Sequence, residues 1–284
     1  MSTDEHRQTK QPPQPAHHQQ ARWQGPKRIK SLAEPGKIVS AFNTWAFKRE
    51  QPSDVALLTS VVATAIAEER AVEFVLYWGK GPRAEIAKPD LDCLDYLQSL
   101  TGRIAAAYSY GAVVRIIFTD SHAALNGHSP ASMSSYFDAI AAAATPRGFQ
   151  TCVLSDLVRR LPDAAPGTQP AVRPADTLAN LTRSAARWYR GAGRPADGAV
   201  AYYDMNMVER RAVEHQFPAA IFITFNGSEV RDLFPEALPV FYMYSLRKGF
   251  SVKPWFLDET GAAVVLPESL PLGPSQPSKG ASAA

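Results

Sequence analysis

Residues 118–129, FTDSHAALNGHS, place an aspartate and two histidines directly after the apolar run AVVRIIF. An Asp-x-His pair at the end of a strand can aim Asp120 and His122 into one cleft, where the carboxylate orients the imidazole or each group moves a proton. Two other readings use the same residues. Asp120 can cap the following turn while His122 packs at its edge and Asn126-Gly127 turns the chain. Alternatively, Asp120, His122 and His128 can ligate zinc or iron in a metal-dependent hydrolase, although their spacing matches no strong metal signature.

Two further clusters set cations beside aromatic rings. In WAFKR, residues 45–49, Trp45 and Phe47 flank Lys48 and Arg49. Such a group can stack on an aromatic substrate and grip its anionic part, and an ordinary amphipathic edge has the same composition. In SLRKGFSVKPWF, residues 245–256, Arg247, Lys248 and Lys253 surround a glycine turn beside Trp255 and Phe256. Three cations at a turn can hold a phosphate, and a solvated hairpin looks alike. YWGKGPR, residues 77–83, is no P-loop. The phosphate-binding Gly-x-x-x-x-Gly-Lys-Ser/Thr, the dinucleotide-binding Gly-x-Gly-x-x-Gly, the Gly-x-Ser-x-Gly elbow and the His-Glu-x-x-His helix are all missing, which argues against the common kinases, dehydrogenases and hydrolases.

The elements that must position these residues follow from periodicity. KIVSAF, residues 37–42, reads as a short first strand. Asp54 can cap a helix running to about Arg70, with Val55, Leu58, Val62 and Ile66 on one face. VEFVLYW (72–78), AVVRIIF (112–118), QTCVL (150–154), AIFITF (220–225) and VFYMYS (240–245) read as strands rich in β-branched and aromatic residues. Helices are predicted over about 90–108, 131–144, 176–190 and 205–216. Strands alternating with helices predict an α/β chain, a Rossmann-like three-layer sandwich with a mostly parallel sheet, in which the short connection before the last strand allows antiparallel C-terminal pairing. In such sheets ligands collect at the carboxyl ends of the strands, where Asp120 and His122 fall.

Composition bounds the rest. With 45% hydrophobic residues among 284, the chain can bury a full-sized core. Residues 1–32 are rich in Gln, Pro and His without apolar periodicity and are expected to be disordered. Residues 33–270 are expected to form a single α/β domain, and 271–284 a flexible tail. The first 30 residues hold six basic side chains against two acidic ones, so the net charge of +3 belongs to that segment and the body is close to neutral. A near-neutral body offers no general footprint for nucleic acid. No window of roughly 18 apolar residues exists to span a membrane, and the first residues lack the apolar stretch of a signal peptide, so a cytoplasmic location is expected. Cys93 and Cys152 lie far apart and are expected to be reduced and structural. The proline-rich stretch from Pro162 to Pro174 reads as a mobile loop or lid.

Four stretches together resemble the isocyanide (isonitrile) synthase family, the pyoverdine and dityrosine biosynthesis proteins: AFK at 46–48, YSYG at 108–111 continuing to FTD at 118–120, FPAAIFITFN at 217–226, and KPW at 253–255. The resemblance spans roughly residues 38–257. Asn226 stands where the family's strand carries a histidine, and Phe256 follows Pro-Trp where the family has another. The resemblance implies a Rossmann-like enzyme of natural-product biosynthesis. It implies conversion of the amine of an aromatic amino acid to an isonitrile, with the extra carbon drawn from ribulose 5-phosphate and with neither metal nor other cofactor. On that reading Asp120 and His122 transfer protons, Lys48 and Arg49 take the phosphate or carboxylate, and Arg247 and Lys253 form a second anion contact. Trp45, Phe47, Tyr244 and Trp255 line an aromatic pocket, and Asn226 faces substrate. The partners are then small molecules, an amino acid and a sugar phosphate, with an iron and 2-oxoglutarate oxygenase acting downstream. The alternatives are the metal-dependent hydrolase and a small-molecule or partner-binding protein without turnover, which Asn226 and Phe256 favour.

Overall fold

The computed structural model describes residues 34–79, 85–162 and 173–243. All lie within the compact unit Ala33–Ala284. Five strands, β1 (Val72–Trp78), β2 (Ala112–Phe118), β3 (Gln150–Val153), β4 (Ile221–Thr224) and β5 (Val240–Tyr242), form one sheet in the order β3-β2-β1-β4-β5. Every neighbouring pair runs parallel. The fold is therefore the Rossmann-like α/β sandwich expected. The allowance for antiparallel C-terminal strands is not met: β5 joins β4 in parallel, and a 3-10 segment, Ser228–Leu233, makes the crossover without an α-helix. Among the described residues, the antiparallel pairing at this edge is the bridge between Lys48 and Met243.

Helices cover both faces. On one, α1 (Pro35–Phe42), α2 (Val55–Ala67), α3 (Lys88–Ala107) and α5 (Pro130–Ala144) close over Phe74, Leu76, Trp78, Val114, Ile116 and Ile223. On the other, α6 (Leu154–Arg160), α7 (Ala175–Trp188) and α8 (Pro195–Gln216) close over Val75, Ile117, Phe222 and Tyr242. Alternate residues of each strand thus feed two apolar layers, as a parallel sheet buried on both sides requires. A short helix, α4 (Asp120–Leu125), sits at the carboxyl end of β2 between the two layers.

KIVSAF is a helix and not the expected strand. Pro35 occupies its first turn, and Ile38, Val39 and Phe42 share one buried face. A six-residue apolar run fits either period, and packing decides. Helix α2 begins where expected, its Asp54 carboxylate accepting the Leu57 N–H at 2.8 Å, but Val55 faces solvent. Arg115, an arginine within a strand, bonds Glu73 and Gln150 on its sheet neighbours. Both cysteines are free, and burial pushes the Cys152 thiol up to about 11. No helix among the described residues is long and apolar enough to cross a membrane.

Candidate active site

The strand order reverses between β1 and β4: the chain builds outward through β2 and β3, then returns to the other side of β1. Diverging connections leave a crevice at the carboxyl ends of such strands, the usual ligand position in open α/β sheets. Here the crevice is lined by Tyr77, Gly79, Thr119, His122, Tyr202 and Asn226, with Phe222, Phe225 and Phe234 completing its apolar wall. The empty space within it, its open mouth included, is about 370 Å³.

Three local features hold the crevice rim. Gly79 adopts φ 97°, and a Cβ there would meet the Phe137 ring at 2.8 Å, so the turn after β1 requires glycine. The Thr119 hydroxyl bonds the Trp78 and Gly79 carbonyls at 3.1 and 3.0 Å, tying the start of α4 to that turn. Asp120 Oδ1 accepts the Ser155 N–H at 3.1 Å, which fastens α4 to α6. Asp120 therefore bonds the first turn of α6 and not, as the capping reading expected, the turn that follows it in the chain.

The carboxylate that faces His122 is Glu209 of α8, not Asp120. His122 Nε2 lies 2.6 Å from Glu209 Oε2, with both side chains almost wholly buried. The other carboxylate oxygen accepts from the Ser121 hydroxyl. Edge-on contacts from Tyr77, with centroids 5.7 Å apart, and Tyr202, at 4.9 Å, fix the imidazole plane. Three buried polar atoms of this region have no hydrogen-bond partner among the described residues: His122 Nδ1, the Tyr77 hydroxyl and Asn206 Oδ1. Most buried polar atoms in folded proteins are paired, so such a cluster offers hydrogen bonds to a bound group or to water. Burial first, and the Glu209 charge second, raise the pKa of both Tyr77 and Tyr202. The phenols therefore stay neutral at ordinary pH and can donate hydrogen bonds.

The other expected residues are distributed as follows. Asn226 lines the crevice. Lys48 and Arg49 reach the same carboxyl end of the sheet beside β5, the Arg49 N–H donating to the Tyr242 carbonyl at 2.9 Å. The Lys48 ammonium is bonded to Gln51 at 3.1 Å and lies 4.8 Å from the centre of the Trp45 ring. Glu50, which follows, accepts from the Ser228 N–H and hydroxyl, joining this segment to the turn after β4. Trp45 is 63% exposed. Phe47 is a core residue instead of a pocket wall, packed against Tyr96 and the Arg103 guanidinium. Tyr244, Arg247, Lys253 and Trp255 lie outside the described residues, as does most of the Pro162 to Pro174 stretch. The proposed metal set does not assemble: no three His, Cys, Asp or Glu side chains among the described residues converge to hold an ion, and the Nε2 of His122 is taken by Glu209.

Glu209 was missed because it sits 87 residues from its partner. One local signal was available. Tyr203, Asn206, Glu209 and Val213 fall at helical spacings of three and four, and all are buried. A glutamate on the apolar face of an amphipathic helix needs a buried partner.

The sequence matches no protein-family model and no curated protein. A tyrosyl-tRNA synthetase from Archaeoglobus fulgidus, solved with L-tyrosine, gives a TM-score of 0.47 at 12% identity over 81% of this chain and 69% of that one. The PvcA protein from Pseudomonas aeruginosa is similar with a TM-score of 0.56 at 16% identity, over 78% of this chain and 87% of that one. At that identity the likeness speaks for architecture alone, and the chain has a PvcA-like fold.

Proposed function

We propose that this protein is an isonitrile synthase-like enzyme that converts the amine of an amino acid to an isonitrile, taking the carbon from ribulose 5-phosphate. The observation that carries the reading is the buried His122–Glu209 pair at the switch point of a PvcA-like fold. The chemistry asks for a group that moves protons repeatedly. An amine adds to the sugar's ketone and the adduct loses water to give an imine. Proton transfers then precede cleavage of a carbon–carbon bond of the sugar. His122 is the group in the crevice suited to accept and return those protons. The rings of Phe222, Phe225 and Phe234 suit the apolar side chain of an aromatic amino acid. Lys48 and Arg49, carried to the same end of the sheet, are the cations we assign to the phosphate or carboxylate, with Arg247 and Lys253 as a second anion contact. Tyr244 and Trp255 are assigned to the aromatic pocket. Asp120 is retained for proton transfer through whichever oxygen its bond to Ser155 leaves available.

The test is incubation of the pure protein with tyrosine or tryptophan and ribulose 5-phosphate labelled with carbon-13 at its second carbon, followed by mass spectrometry. A labelled isonitrile is the expected product. No product from any standard amino acid would overturn the proposal. Binding without turnover would then favour the non-catalytic reading, for which Asn226 in the crevice is the specific observation.

A further inference from the structure

We propose that Glu209 is a positioning residue that holds His122 with its proton on Nε2 and its basic lone pair on Nδ1, and that this arrangement makes the floor of the crevice an amine site that rejects anions. The inference rests on the proposed function for the identity of the amine. Its structural part stands without it.

The argument begins with hydrogen-bond capacity. An ionised carboxylate only accepts, so Glu209 Oε2, at 2.6 Å from His122 Nε2, requires a proton on that nitrogen. Ser121 donates to Oε1 and so leaves the carboxylate no reason to rotate away. A neutral imidazole with Nε2–H presents Nδ1 as an acceptor, and Nδ1 is the ring atom without a partner among the described residues. The ring lines the crevice, so an N–H group entering there meets a base whose tautomer is already fixed.

Charge then chooses the guest. The negative charge of Glu209 is felt across the floor, since it raises the pKa of both flanking tyrosines. The neighbouring cation on α8, Arg210, is held by the Asp232 carbonyl at 2.8 Å and Glu236 at 3.4 Å, and at Tyr77 its charge offsets that of Glu209 only in part. An anion placed against His122 would therefore meet like charge in a poorly solvated place, whereas an amine would gain from it. The phosphate of any co-substrate is then assigned away from His122, to Lys48 and Arg49.

The experiment is nitrogen-15 NMR of the full chain labelled at histidine, with His122 assigned through His122→Gln. The expected spectrum of the neutral ring shows Nε2 protonated and Nδ1 bare. Tyramine should perturb the Nδ1 resonance, and 3-(4-hydroxyphenyl)propanoate, which shares the ring but ends in an anion, should not. In Glu209→Gln that preference for the amine should fall at least about tenfold, as loss of a buried charge contact implies. A neutral ring protonated on Nδ1, no response to tyramine, or equal responses to the two probes would each overturn the proposal. If the tautomer and amine preference appear but no isonitrile is ever formed, the proposed reaction fails and the amine site stands.

Discussion

Two buried carboxylates sit on opposite helical layers of this sheet and are treated differently by the fold. Asp90, in the first turn of α3, is fully buried. Its Oδ2 accepts the Ala87 N–H at 2.9 Å, and its Oδ1 accepts the Tyr136 hydroxyl at 3.0 Å. Tyr136 in turn accepts from the Trp78 indole at 3.2 Å, so the chain of bonds ends on β1 with its donors and acceptors matched. Glu209 is as deeply buried but bonds an imidazole that can change charge, and around it lie three polar atoms without a partner among the described residues. The first carboxylate completes a network inside the protein. The second leaves one unfinished at the place where the sheet opens, and the unfinished network is the functional signal.

The contrast can be broken most severely at His122. His122→Gln keeps a polar side chain of similar reach but removes the base, and general acid–base catalysis is worth about 10²–10⁴-fold. Turnover should fall by that order while the thermal midpoint changes little. A variant with near-normal turnover would remove the imidazole from the chemistry. Next in size is a pair of substitutions on the carboxylates themselves. Asp90→Ala removes the carboxylate that accepts from the Ala87 N–H and the Tyr136 hydroxyl, and each buried bond lost costs about 1–3 kcal/mol. Urea unfolding should therefore show a loss of about 3 kcal/mol. Glu209→Gln preserves volume and removes a buried charge, a change that is often neutral for stability, so its shift should stay within about 1 kcal/mol. Equal losses in the two variants would mean that Glu209 is a structural carboxylate like Asp90.

The contrast also explains what the sequence could and could not reveal. The Asp90 network starts with a local bond to the backbone three residues earlier, the kind of contact that defines helix starts and survives in sequence pattern. The strands of the sheet were legible for the same reason: residues 72–78 and 112–118 carry unbroken β-branched and aromatic runs, and the structure gives them those bounds. KIVSAF was misread because six apolar residues have no decisive period. Helices α4 and α6 were missed because six and seven residues give too few turns to show a face. His122 is visible as a histidine after a strand, but the carboxylate that sequence offers beside it is Asp120, the nearest along the chain. The true partner arrives from α8 through tertiary packing, and only its odd place on an apolar helix face hinted at it. Asn226 lines the crevice, whereas Phe47, grouped with the cations beside it, packs into the core against Tyr96.

The smallest effect should come from the unfinished network's own phenol. The Tyr77 hydroxyl is buried without a partner among the described residues, and burial, reinforced by the Glu209 charge, raises its pKa well above the usual value. In the unfolded chain the phenol ionises near pH 10. Above that pH the folded protein binds more protons at this site than the unfolded chain does, so stability must fall as pH rises through about 10 and beyond. Tyr77→Phe removes both the unpaired hydroxyl and its proton linkage. It should leave stability at pH 8 unchanged or raised by up to about 1 kcal/mol, and it should flatten part of the alkaline decline. The remaining slope belongs to other phenols with raised pKa values, among them Tyr202 and Tyr242, the latter pushed up to about 12. Urea unfolding at pH 8, 10 and 11 measures both effects. An unaltered alkaline slope would mean that the Tyr77 hydroxyl has a partner in solution. The polar gap around His122 would then be narrower than the structure shows, and the difference between the two carboxylates correspondingly smaller.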